Sequence, residues 1–170
     1  MGALMRPREN PETALATAWQ IHQAQADWTG KVDTKAAFAF TVQTLFLTFS
    51  LATLSQMCTA WEWTIYGIGA GLLVAGAVLA ASVVAPSLKS RGLKRDARRH
   101  YIYFGHARHW DPAHLERELR RGDPLPQLAR QITVMADIAW SKHVRVAWSI
   151  WLGVAGGLCV LSASVLNQVS

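Results

Sequence analysis

WTIYGIGAGLLVAGAVLAASVVAPSL, residues Trp63 to Leu88, runs twenty-six positions without one charged side chain. A helix rises 1.5 Å per residue, so such a run covers a hydrocarbon core of roughly 30 Å. Two further uncharged runs flank it: AAFAFTVQTLFLTFSLATL from Ala36 to Leu54, and VAWSIWLGVAGGLCVLSASVLNQV from Val146 to Val169. Overall composition decides less, because 51% hydrophobic residues and a mean hydropathy of +0.14 also suit a soluble helical protein with a large core. Segment length decides it. The chain reads as all-α, an integral membrane bundle of three spans with helical extensions.

Charge supplies the orientation. Arg6, Arg8, Lys31 and Lys35 precede the first span and thirteen Lys and Arg lie between Lys89 and Arg145, which accounts for all 17. By the positive-inside rule, residues 1–35 and 89–145 face the cytoplasm, whereas residues 55–62 and the C-terminus face outward. The boundaries read from this are a cytoplasmic helix over 1–35, spans over 36–54, 63–88 and 146–169, an outer loop over 55–62, and a basic helical segment over 89–145. Trp61 and Trp63 mark the outer boundary, and Trp28, Trp140, Trp148 and Trp151 the inner one. The first run starts too late, and lacks the small-residue cleavage site, for a secretory signal. Cys58 and Cys159 fall at different depths and carry no expected role.

Residues 89–145 carry thirteen basic against six acidic side chains, hence +7, with Lys89, Arg91, Lys94, Arg95, Arg98 and Arg99 directly below the second span. Juxtamembrane lysine and arginine attract anionic lipid at about 1 kcal/mol each. The alternative is that some of them join Tyr101, Tyr103 and Phe104 in a pocket for a phosphate-bearing ligand, arginine on the phosphate and a ring under a base. Spacing alone leaves both open.

Pro11 and Glu12 suit a helix start, and Leu15, Trp19, His22 and Ala26 share one face. A helix is expected from Pro11 into the first span, with room for a bend at Gly30. Past Pro86 a helix is expected to continue to about Phe104, where Gly105 ends or bends it. Asp111-Pro112 predicts an N-cap and first turn of a short helix stopping at Gly122. A last helix starts near Leu125, with Leu128, Ile132, Met135 and Lys142 at helical spacing. No strand or repeat is expected.

His100, His106, His109 and His114 cluster, and the spacing of His106 and His109 admits a shared metal. The usual companion ligands are absent, so packing beside aromatic rings is the favoured reading and no metal site is assigned. No phosphate loop, nucleophile elbow or intramembrane carboxylate pair occurs, so no catalytic residue is assigned and an enzyme is not expected. Gly67, Gly71 and Ala75 form one small-residue face, and Gly153 and Gly157 another. Such faces pack helices, within the bundle or between subunits. Asp33 and Lys35, at i and i+2, do not face each other on a helix. Asp33 is either solvated beside a snorkelling lysine, or pairs with the 95–99 arginines or with Lys142.

The order of an N-terminal helix, Asp33-x-Lys35, a span ended by Pro86, Tyr103-Phe104-Gly105-His106, then Gln131-Ile132 and Ile138 before Lys142 and a last span resembles the transmembrane effectors of Pycsar anti-phage systems. The resemblance covers roughly residues 15 to 168. It implies a two-gene bacterial defence, in which a partner cyclase makes cyclic UMP or cyclic CMP and the nucleotide activates this effector. The effector then impairs the inner membrane, with abortive infection as the result. It implies a homo-oligomer without a resident cofactor, bound to lipid and nucleotide rather than to a nucleic acid polymer. Asp33, Lys35, Arg95, Arg98, Arg99, Tyr103, Phe104, Gln131 and Lys142 are the candidate ligand-binding residues. A membrane-anchored scaffold that binds lipid or a partner protein, and a histidine-dependent membrane enzyme, are the readings from other classes.

Overall fold

Asn10 opens the first helix, its Oδ1 accepting the Glu12 N–H at 3.2 Å, in a computed structural model that describes residues 10–54, 59–85 and 100–169. Helix α1 runs from Pro11 to Thr53 without a break at Gly30. Helix α2 covers Ala60–Val84, α3 Phe104–Ala107, α4 Pro112–Arg121 and α5 Leu125–Val169. No strand occurs among the described residues. Three helices, α1, α2 and α5, are long and apolar enough to cross a membrane. Pro86, Cys58 and the basic cluster, Arg95, Arg98 and Arg99 included, lie outside the described residues.

The chain divides into two compact units, residues 1–28 with 87–139 and residues 29–86 with 140–170. The second unit is the apolar bundle. Tyr66, Leu73, Val160 and Ala163 form one core cluster with Phe46 and Leu47 against it, and Val32, Ala36, Val83 and Val146 form another. The rings of Trp61, Trp63, Trp148 and Trp151 are exposed, as lipid-facing side chains of a span should be. Thr34, Thr41, Thr44 and Thr48 each donate their hydroxyl to the carbonyl four residues earlier, at 2.9 to 3.1 Å. Polar groups therefore enter the apolar layer already satisfied.

Small residues pack this bundle, though in α2 at other positions than the spacing suggests. Gly67 and Gly71 have nothing within 4 Å of where a Cβ would stand, whereas a Cβ at Gly156 would lie 2.7 Å from the Gly69 carbonyl and one at Gly76 3.0 Å from the Ser149 carbonyl. Gly69 and Gly76 thus let α2 meet α5, and Gly67, Gly71 and Ala75 face outward. Gly153 does pack, against Gln43, and Gly157 sits at ordinary contact distance from the Phe46 ring. Gln43, 3% exposed, donates through Nε2 to the Ser149 carbonyl at 2.7 Å and to Ser149 Oγ at 3.2 Å. Ser149 Oγ in turn donates to the Gly76 carbonyl at 2.8 Å. One polar node joins three helices.

Helix α2 begins three residues before the apolar run, because Thr59 and Glu62 have capping-box spacing. The Thr59 N–H donates to Glu62 Oε2 at 3.1 Å, which satisfies a donor that a helix start leaves orphaned. Glu62 is buried rather than part of an open loop.

In the first unit α4 starts and stops where expected. Asp111 Oδ2 accepts the His114 N–H at 3.1 Å, and the Gly122 N–H closes the last turn on Glu118. Residues 100–103 are not helical, contrary to the expectation of a helix reaching Phe104. Their backbone groups are engaged elsewhere: the Tyr101 N–H donates to Gln127 Oε1 at 3.1 Å, and Trp110 Nε1 donates to the His100 carbonyl at 3.1 Å.

Candidate functional site

The sequence Tyr103-Phe104-Gly105-His106 folds as a device for holding rings. Tyr103 has extended φ and ψ (−80°, 127°) and caps α3, with its carbonyl accepting the His106 and Ala107 N–H groups at 2.9 Å. Its ring turns back over Gly105, where any Cβ would overlap it. Gly105 thus leaves room for the ring, which a Cβ there would force to shift. The same ring lies 4.6 Å from Phe104 and edge-on to His106 at 5.6 Å, and His106 stands 5.7 Å from His100.

Opposite these rings run the first turns of α5. Gln127, Arg130, Gln131, Val134, Asp137 and Ile138 recur at steps of three and four, so they share one face. Together with His100, Ile102, Tyr103 and His106 they line a cavity of about 430 Å³, within the range of small-molecule sites. Arg130 Nη1 donates to His100 Nε2, which holds the guanidinium beside the imidazole. The cavity presents one cation, one carboxylate, two carboxamides and a tyrosine ring. That set suits a small anionic ligand with a planar part and hydroxyls.

Next to it Tyr101 stands edge-on to Trp110 at 6.0 Å. Burial raises its phenol above the ordinary value of 10.0, and the carboxylates of Glu118 and Asp123 add to the rise.

Of the nine candidate ligand residues, Tyr103 and Gln131 meet in this cavity. Phe104 touches the Tyr103 ring but is 67% exposed and does not line it. Arg95, Arg98 and Arg99 lie outside the described residues. Asp33, Lys35 and Lys142 belong to the other unit. There Lys142 Nζ sits 2.6 Å from Asp33 Oδ1, with 20% and 36% of the two side chains exposed, so of the partners considered for Asp33 the described structure shows Lys142. Lys35 lies instead in an apolar groove of about 680 Å³ beside Phe38, Gly153 and Gly157.

Gln127, Arg130 and Asp137 were legible only as a polar face, one step around α5 from the apolar face of Leu128, Ile132 and Met135. Among the described residues, no group of three or more His, Cys, Asp or Glu side chains gathers as a metal site would require. The family model described as the Pycsar effector protein domain matches residues 17–167. No curated protein and no solved structure matches.

Proposed function

This chain belongs to the Pycsar effector family of anti-phage defence, and on that footing we propose that it is a non-enzymatic membrane effector switched on by a cyclic pyrimidine nucleotide. The observation that carries the ligand assignment is the cavity between the Tyr103 ring and the polar face of α5. A cyclic nucleotide brings one phosphodiester charge, a free ribose 2′-hydroxyl and a flat base. Arg130 meets the phosphodiester through a charge-assisted hydrogen bond. Asp137 accepts from the 2′-hydroxyl, as an acidic residue does in dinucleotide sites. The Tyr103 ring stacks the base, a contact worth about 1–3 kcal/mol. Gln127 and Gln131 read its edge.

The nucleotide, cyclic UMP or cyclic CMP, comes from a partner cyclase. It acts by binding one arrangement of the loop over residues 100–110 and α5 better than the other. Helix α5 continues as a span, so the cavity and the bundle share one element. The outcome is loss of inner-membrane integrity and abortive infection. By the positive-inside rule the cavity is cytoplasmic and the C-terminus periplasmic. The outward stripe of Gly67, Gly71 and Ala75 suits close contact between copies in an oligomer.

The test is dye leakage and membrane potential in liposomes carrying the full chain, with cyclic UMP, CMP, AMP and GMP added separately. Leakage with a pyrimidine nucleotide, lost in Arg130→Glu, is expected. Leakage that ignores all four nucleotides, or that Arg130→Glu leaves intact, refutes the assignment.

A further inference from the structure

Lys35 opens the apolar groove between α1 and α5, inside the bundle unit. Among the described residues it forms no ion pair, and the neighbouring carboxylate, Asp33, is held by Lys142 at 2.6 Å. The polar groups of the wall bond within the protein: the Thr34 hydroxyl donates to the Gly30 carbonyl at 3.1 Å and Gln43 Nε2 to the Ser149 carbonyl at 2.7 Å. Beyond Lys35 the groove offers hydrocarbon, with Phe38 71% and Leu158 61% exposed along it. Its lining runs from Thr34 to Phe46 on α1 and from Ile150 to Leu161 on α5, about 17 Å on each helix at 1.5 Å per residue. Half of a hydrocarbon core of about 30 Å is about 15 Å, so the groove has the depth of one leaflet.

We propose that this groove is a site for one anionic phospholipid, with an acyl chain laid between α1 and α5 and the headgroup phosphate accepting from the Lys35 ammonium. A helical side chain leans toward the N-terminus of its helix, which carries the Lys35 ammonium out of the hydrocarbon to headgroup level. By the positive-inside rule that is the cytoplasmic leaflet. A soluble anion has no use for the apolar walls and a bare hydrocarbon has none for the ammonium, whereas a phospholipid uses both. Charge decides against a second copy of this chain as the occupant. Within residues 31–35 and 142–145 the cations Lys31, Lys35, Lys142 and Arg145 stand against one carboxylate, Asp33, which is already paired. A parallel neighbour would therefore set cations against Lys35, while a net negative headgroup relieves that excess. The site is independent of the nucleotide cavity, which belongs to the other unit.

The experiment places the full chain in nanodiscs of equal phosphatidylglycerol and phosphatidylcholine and counts the lipids it retains by native mass spectrometry. Wild type should keep one lipid per chain, phosphatidylglycerol over phosphatidylcholine by about fivefold, the factor that one juxtamembrane lysine supplies. Lys35→Gln should abolish that preference. Lys31→Gln removes a charge at the same boundary but outside the groove lining, and should keep it. Val154→Trp fills the groove from a half-exposed position and should release the lipid of either class. No retained lipid in the wild type, equal retention of the two lipids, or equal effects of Lys31→Gln and Lys35→Gln overturns the proposal, the last by reducing it to diffuse attraction. A lipid-free pair of chains that Val154→Trp separates also overturns it, and makes the groove a contact between copies. The wild-type ratio needs no variant, so the test survives a misfolded one.

Discussion

Replacing Gly153 by Ala should destabilise the bundle through one side chain, Gln43. A Cβ at position 153 would stand 2.5 Å from Gln43 Nε2 and 3.1 Å from its Cγ, so the amide must rotate away from Ser149. That breaks the hydrogen bonds at 2.7 and 3.2 Å. Intramembrane hydrogen bonds average about 0.6 kcal/mol, so the pair is worth about 1.2 kcal/mol. The displaced NH₂ group adds about 1–3 kcal/mol if it stays buried, and the helix recovers about 1 kcal/mol on losing a glycine. The expected net cost is about 1–3 kcal/mol. Gln43→Ala alone loses the same bonds and leaves a void, at a cost of about 2 kcal/mol, offset in part by removal of Gln43 Oε1, a buried oxygen without a hydrogen-bond partner. In that background Gly153→Ala has no amide to displace and should stabilise by up to about 1 kcal/mol. Equilibrium unfolding in mixed micelles, followed by circular dichroism over the double-mutant cycle, measures the coupling. A Gly153→Ala cost equal in both backgrounds would refute the reasoning, since backbone contact alone would then be responsible.

Three further outcomes are expected. Asp33→Asn should cost about 1 kcal/mol or less, since both partners of the ion pair are partly exposed, and exchanging the charges with Asp33→Lys and Lys142→Asp should restore most of it; a swap less stable than either single variant argues against pairing. The Tyr101 phenol, raised by burial and by Glu118 and Asp123, holds its proton more tightly folded than unfolded. Its contribution to stability is therefore complete below pH 10 and lost as pH rises through the raised value. Ultraviolet titration should place a phenolate transition above the ordinary range that Glu118→Gln moves down, and an unmoved transition rejects Glu118 as a cause. Asp111→Ala removes the cap on the His114 N–H and should lower the stability of α4 by about 1 kcal/mol, read as faster amide exchange across residues 112–121.

Span length, uncharged runs and caps at Asp111 and Gly122 are local properties, and α1, α4 and α5 could be placed from them. The start of α2 was equally local, written in Thr59 and Glu62, but the apolar run that begins at Trp63 drew the boundary inward. The face of a span that meets its neighbours is another matter. Gly67 and Gly71 repeat at the same interval as Gly69 and Leu73, and only the positions of Gly156 and Val160 on another helix decide which row turns inward. The cavity was half legible. Tyr103 and Gln131 belong to short motifs, whereas Arg130 and Gln127 acquire meaning from His100 and Tyr101, some thirty residues away in sequence.

Where Gly69 meets Gly156, the backbones of α2 and α5 approach closely, with the Leu73, Cys159 and Val160 side chains packed around the contact. Two rods touching at so close a point can rock about it, but sliding drives these side chains into the neighbouring backbone. The contact is thus a fulcrum. Any remodelling of the bundle that keeps it intact must leave this point nearly still and move the helix ends the most, so spin labels at the ends of α2 and α5 would register a tilt that labels beside Gly69 would miss.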